Sequence, residues 1–236
     1  MSLRIACDLD GTLADMDAAL QREAEDLFGP DAVVSAFPGE RLESAEDVAH
    51  QAQAVATIGP PGALTRKQVR HLWEHIAGTD NFWTSLGEIE PGAVSRLAAA
   101  AHAHRWEILF LTQRPPSTGE TTQVQSQRWL QAHGFELPSV MVMTGSRGRV
   151  ARSLALDVVI DDRPENCLDV LADSTARPVL VWRAGPRRIP PGVAGLPLEV
   201  VTSLGGAIEY LNSVTAERDR GETLFGRLKK AFGKTP

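Results

Sequence analysis

Apolar residues follow two different rhythms along this chain. Leu3 to Cys7 is a short apolar run closed by Asp8-Leu9-Asp10-Gly11, which predicts a buried strand and then a turn that glycine permits. From about residue 15 to about residue 80 the spacing is helical. Asp17 to Phe28 sets Leu20, Ala24, Leu27 and Phe28 on one face, and Ser44 to Ala56 and Thr65 to Ile76 read as two further helices. Ser44 and Thr65 are their expected N-caps. Gln68, three residues after Thr65, completes a capping box, with Asp47 a looser match after Ser44. Pro60-Pro61-Gly62 separates the two.

From Pro91 the rhythm becomes strand and helix in alternation. Strands are expected at Glu107 to Thr112, Val140 to Thr144, Val158 to Asp161, Val179 to Trp182 and Glu199 to Val201. Helices are expected at Gly92 to His104, Thr122 to His133 (ended by Gly134), Arg149 to Leu156, Glu165 to Ala172 and Leu204 to Leu211. Such alternation predicts an α/β fold, a Rossmann-like three-layer parallel sheet with helices on both faces. The helical stretch between the first two strands is then an insertion.

Composition narrows the function classes. The 236 residues are 43% hydrophobic and 23% charged, the balance of a globular protein able to bury a core. Cys7 and Cys167 have no metal-ligand spacing and read as core thiols in a reducing compartment. The first strand begins at about residue 3, leaving no room for a targeting segment, and no apolar run reaches the ~20 residues that span a membrane. The expected location is cytoplasmic. A net charge of -6 argues against a nucleic-acid polymer as partner. The charge is uneven, with six basic and three acidic residues from Val214 to Pro236.

The strand ends carry the chemistry. In parallel sheets the working crevice lies at the carboxyl ends of the strands. The first strand ends in Asp8 and Asp10, which share a side because residues two apart on a strand do. The next ends in Thr112, followed by Gln113, Arg114 and Pro115. The strand at 158 ends in Asp161 and Asp162, followed by Arg163-Pro164-Glu165-Asn166. The turn Thr144-Gly145-Ser146-Arg147-Gly148 sets a cation beside a helix start. Carboxylates supply hard oxygen ligands for magnesium, one of them can attack phosphorus, and another can move a proton. With a hydroxyl, a cation and helix N-termini, the set is suited to phosphoryl transfer.

These motifs resemble the haloacid dehalogenase superfamily of phosphohydrolases over residues 5 to 166. Asp8-Leu-Asp-Gly-Thr-Leu-Ala-Asp15, Phe82-Trp83 with Ile89-Glu-Pro-Gly-Ala93, Leu111-Thr-Gln-Arg-Pro115 and Ile160-Asp-Asp-Arg-Pro-Glu-Asn166 resemble its 5'-(deoxy)ribonucleotidase branch. The resemblance implies that Asp8 is the nucleophile and that Asp10 is the acid and then the base, its backbone carbonyl on magnesium. Thr112 is implied on the phosphoryl oxygens, and Asp161 and Asp162 at the metal, one directly and the other through a bound water, with Asp162 preferred as the direct ligand and their order left open by the sequence. The family has lysine where this chain offers Arg147 or Arg149, and Arg147 has the better spacing. Guanidinium is bulkier than ammonium and pairs phosphate in a fork. Because an alkoxide leaves only with a proton and a halide does not need one, Asp10 favours phosphate esters over carbon–halogen bonds.

The expected protein is thus a magnesium-dependent phosphatase for a small phosphate ester, a nucleoside 5'-monophosphate by first choice. Its catalytic core is residues 1–14 and 89–213, its cap 15–88 and its tail 214–236. Gln113 and Arg114 are expected at the substrate. Phe82 and Trp83, near Trp73, either bind the cap to the body or stack on a nucleobase, a contact worth about 1–3 kcal/mol. His71 and His75, one turn apart, lack a third ligand for zinc and read as packing residues. The tail sets Leu224, Phe225, Leu228, Ala231 and Phe232 on one stripe with basic residues elsewhere, for packing or for docking on an anionic membrane surface or a partner. Two alternatives stand beside this reading. One is a phosphatase or phosphotransferase for another ester such as a sugar phosphate; the other is a catalytically weak binding or regulatory protein.

Overall fold

The computed structural model describes residues 2–34, 62–184, 189, 192–193 and 195–232, with backbone alone for 221–232. The helix expected from Ser44 to Ala56 lies outside the described residues, as do the side chains of the Glu222 to Lys234 stripe.

Six strands form one sheet in the order β3-β2-β1-β4-β5-β6. They are β1 (Arg4–Asp8), β2 (Glu107–Thr112), β3 (Ser139–Val142), β4 (Val158–Asp161), β5 (Arg177–Val181) and β6 (Glu199–Val201). β2 runs parallel to β3 with Thr112 opposite Val142, and β4, β5 and β6 are parallel in turn. Seven helices stand among the described residues: α1 (Met16–Phe28), α2 (Arg66–Gly78), α3 (Ala93–His104), α4 (Thr122–Ala132), α5 (Arg147–Ser153), α6 (Pro164–Asp173) and α7 (Leu204–Phe232). The architecture is the expected Rossmann-like α/β fold. Ile5, Ala6 and Cys7 of β1 and all four residues of β4 are buried, as strands covered on both faces must be.

The chain folds into two compact units. One takes in Met1–Ile5, Ala99–Glu107 and Arg147–Pro236. Here α6 packs on β4 and β5, and Cys167 joins Leu180 and Val193 in an apolar cluster. The last helix was expected to stop at Leu211, yet α7 continues to Phe232. No proline or glycine interrupts residues 212–220, and the buried face Leu204, Ala207, Leu211 and Val214 keeps helical spacing past that point. Thr215 accepts a hydrogen bond from the Trp106 indole at 2.9 Å, and Arg218 pairs with Asp157 at 2.9 Å.

The other unit takes in Ala6–Ala98 and Ile108–Ser146. The expected capping box opens α2: the Gln68 amide N–H meets the Thr65 hydroxyl at 3.3 Å, and the Thr65 N–H meets Gln68 Oε1 at 2.9 Å. His75 bonds Glu23 at 3.0 Å and His71 packs edge-on to Phe28, so both histidines tie α2 to α1. Glu88 accepts the N–H groups of Gly92 at 2.6 Å and Val94 at 2.8 Å, satisfying donors that the start of α3 would leave open. Trp83, Trp129, Phe82, Phe110 and Leu97 fill the core, with the Trp129 indole bonded to the Leu86 carbonyl at 2.7 Å.

Candidate active site

β1 ends at Asp8, 7% exposed, and the chain turns at once. Gly11 stands at φ 82°, a conformation that glycine adopts without cost. The Leu9 carbonyl accepts the N–H groups of Leu13 at 2.8 Å and Ala14 at 2.7 Å, and Gly11 donates to Ala14 at 2.9 Å. Leu9 and Leu13 are buried, so the apolar residues of the Asp-Leu-Asp-Gly-Thr-Leu segment anchor the turn. Asp15 then caps α1 by accepting the Ala18 N–H at 3.0 Å, one residue before the helix begins. Sequence reasoning started that helix at Asp17; the signal was Asp15 itself, a favoured capping residue.

Asp10 meets two residues delivered by β2. The Thr112 hydroxyl donates to Asp10 Oδ2 at 3.1 Å. Arg114 forks onto the same carboxylate, with Nε 3.0 and 2.9 Å from its two oxygens and Nη2 2.7 Å from Oδ1. The Arg114 side chain is 0% exposed and that of Asp10 11%. A buried charge is tolerated when it is paired and hydrogen-bonded, and a bidentate guanidinium–carboxylate pair meets both conditions. Ser126 of α4 accepts from Nη1 at 3.0 Å, and Gln125 beside it accepts the Trp83 backbone N–H at 3.1 Å. Both are buried and neither was singled out in the sequence. Their signal was spacing, since Gln125 and Ser126 lie four residues before the apolar Trp129 and Leu130 and share their face.

The other unit holds a second cluster. Asp161, 1% exposed, accepts the Arg163 N–H at 2.9 Å and the Asn166 side-chain amide at 3.1 and 3.0 Å. Arg147 places Nε 3.6 Å from its Oδ2. Burial raises the Asp161 carboxyl above its ordinary value, against the opposing charge of Arg147. Asp162 is half-buried. The two arginines of the turn part company: Arg147 is buried beside Asp161, whereas Arg149 is exposed and pairs with Asp173 at 3.6 Å. Arg147 opens α5 instead of preceding it. Gly148 lets α5 lie close on α6, because a Cβ there would stand 2.2 Å from the Asp169 carbonyl oxygen. Its N–H donates to Asp169 Oδ2 at 2.8 Å.

Phe82 and Trp83 are 2% and 0% exposed and meet edge to face, with ring centroids 5.0 Å apart. The Trp83 indole donates to the Pro115 carbonyl at 2.8 Å. The loop after β2 is stitched to the last turn of α2 and the residues that follow it: Asn81 donates to Thr118, Thr118 donates to Ala77, and Glu120 donates to the Asn81 side chain. Gln113 is half-buried. Among the described residues no three His, Cys, Asp or Glu side chains cluster as a metal site by themselves. Magnesium does not need such a cluster. It keeps several waters and takes one or two carboxylates with phosphate oxygens, and aspartates are the hard donors it prefers.

No protein-family model and no curated protein matches the sequence. Solved structures do match the fold. A haloacid dehalogenase-like family hydrolase from Xanthomonas campestris aligns with TM-score 0.53 and 13% identity, over 93% of this chain and 98% of that one. An HAD family hydrolase from Deinococcus radiodurans, with bound phosphate and sodium, gives 0.52 and 17% over 87% and 93%. A putative beta-phosphoglucomutase from Thermotoga maritima gives 0.50 and 16% over 90% and 99%. At such identities the likeness is one of architecture: the chain has the α/β fold of haloacid dehalogenase-like hydrolases.

Proposed function

We propose that this protein is a magnesium-dependent phosphatase working through an aspartyl-phosphate on Asp8, with nucleoside 5'-monophosphates, deoxyribonucleotides included, as substrates. The observation that carries the reading is the pair of carboxylates ending β1, one of them, Asp10, gripped by Thr112 and Arg114. A turn-forming Asp-Gly needs no such grip; an acid that must face one direction does.

In this reading an Asp8 oxygen attacks phosphorus, the ester P–O bond breaks, and Asp10 gives its proton to the departing oxygen. Asp10 then takes a proton from water, which attacks phosphorus, releases inorganic phosphate and restores the Asp8 carboxylate. Asp8, the Asp10 carbonyl, Asp162 and, through water, Asp161 would hold magnesium, which supplies positive charge to the phosphoryl oxygens. Arg147 adds the side-chain cation. Its burial against Asp161 supports it over the exposed Arg149. Thr112 serves the phosphoryl oxygens, which means exchanging its present acceptor, Asp10, for substrate. The nucleotide preference rests on the motif likeness alone, because Phe82 and Trp83 are buried.

The test is phosphate release from ribo- and deoxyribonucleoside 5'-monophosphates and sugar phosphates, with magnesium or chelator, for wild type and Asp8→Asn. Magnesium-dependent release that prefers nucleotides and vanishes in the variant is expected. Release from sugar phosphates alone would keep the mechanism and remove the nucleotide. No release from any ester would defeat the phosphatase reading.

A further inference from the structure

Arg114 carries a permanent charge on a side chain with no exposed surface. Each of its three guanidinium nitrogens donates to a residue of this chain: Nε and Nη2 to Asp10, Nη1 to Ser126. Its guanidinium carbon lies 5.1 Å from the Trp83 ring centroid and 6.0 Å from that of Trp129, in reach of the attraction between a cation and an aromatic face. The rings are tethered in turn. Trp129 bonds the Leu86 carbonyl, and Trp83 bonds the carbonyl of Pro115, the residue that follows Arg114.

We infer that Arg114 is a positioning residue for Asp10 and not a substrate-binding cation. This rests on the reading of Asp10 as the group that moves the proton. Asp10 stands in a tight turn on a short side chain with two rotatable bonds, and a planar fork onto both oxygens fixes both torsions. A proton donor must lie within hydrogen-bond reach of its acceptor and point at it. The proton belongs on Oδ2, the oxygen that Thr112 leaves when it turns to the phosphoryl group, while Nε and Nη2 of Arg114 keep Oδ1 in place. Lysine has the charge without the fork and cannot fix that orientation. The insertion between β1 and β2 takes part through Trp83, so the same residues that build it also steady the acid.

The deciding readout is the dependence on leaving group. p-Nitrophenolate departs without a proton, whereas an alkyl oxygen needs one. For Arg114→Ala and Arg114→Lys, kcat/KM for an alkyl phosphate or nucleotide is expected to fall on the order of 10²-fold or more, and for p-nitrophenyl phosphate at least about tenfold less. KM is expected to stay close to the wild-type value for both esters. Guanidinium ion added to Arg114→Ala should restore part of the alkyl-phosphate rate. Ser126→Ala, which removes one partner of Nη1, should show the same signature at smaller size, and it decides the matter if circular dichroism shows that the Arg114 variants do not fold. An equal loss on both esters with raised KM would make Arg114 a substrate-binding residue, and an equal loss at unchanged KM a structural one; either overturns the inference. If wild type shows no Asp8-dependent release from any ester, the phosphatase reading fails and takes the inference with it.

Discussion

Arg147 holds Nε 3.6 Å from Oδ2 of Asp161, with 5% of one side chain and 1% of the other exposed. Neither charge has much water to fall back on. Breaking a buried pair from one side is therefore costlier than the pair is favourable, because the remaining charge loses its partner. Asp161 would keep its bonds from Arg163 and Asn166, which limits the damage. Arg147→Ala is expected to lose about 3 kcal/mol of stability, at the low end for such a break, and Arg147→Lys less. Urea unfolding in metal-free buffer measures both. An alanine variant as stable as wild type would show that the pair contributes nothing to the fold.

The Asp161 carboxyl is raised by burial above its ordinary 3.8, so its sign of linkage is the reverse of the usual paired aspartate. Between 3.8 and the raised value the folded protein holds a proton that the unfolded chain has released. This group's contribution to stability therefore falls as pH rises through that window and recovers as pH is lowered. Asp161→Asn lacks the titration. With chelator present, the stability of wild type minus that of Asp161→Asn should decline from acid to neutral pH, read from urea midpoints. A difference that rises with pH would mean that Arg147 outweighs burial.

Gly148 is a matter of space. Its missing Cβ would stand 2.2 Å from the Asp169 carbonyl oxygen and 2.8 Å from the Asp173 Cβ, where α5 lies on α6. Backbone cannot yield as a flexible side chain can. Gly148→Ala is expected to cost about 1–3 kcal/mol by overpacking. Gly78→Ala, with nothing within 4 Å, should change stability by no more than about 0.5 kcal/mol. Parallel denaturation curves for the two variants and wild type test the contrast.

The last helix offers a test by truncation. Val214 is buried, Thr215 accepts from Trp106, and Arg218 is bonded to Asp157. A chain ending at Ser213 loses all three contacts, whereas one ending at Gly221 keeps them. The shorter chain should melt several degrees below the longer one, at roughly 2–4 °C for each kcal/mol lost. Equal melting temperatures by differential scanning fluorimetry would place the structural end of the helix before Val214.

Much of the architecture was legible because it depends on short-range periodicity. β2, β4 and β6 have the bounds that their apolar runs predict, and the Thr65–Gln68 capping box is a four-residue pattern that closes as read. Helix ends were less legible. Leu204 to Leu211 satisfied a complete helical stripe, and only burial of Val214 and the partners of Thr215 and Arg218 show why the chain continues. Spacing already favoured Arg147 over Arg149, and the start of α5 adds the physical reason that they face differently, because residues two apart on a helix point to nearly opposite sides.

By itself the sequence determined the alternation of strands and helices, the carboxylates two apart at the end of β1 and the paired aspartates at the end of β4. Those features follow from residue spacing of two, three or four, which local backbone geometry dictates. Which charge meets which was decided by tertiary structure. Arg114 finds Asp10, 104 positions away, and Arg147, at the start of a helix, finds Asp161 at the end of a strand. Partners at that separation leave no period in the chain; they are chosen by burial, which removes water as an alternative partner and makes an unmatched charge too costly to keep.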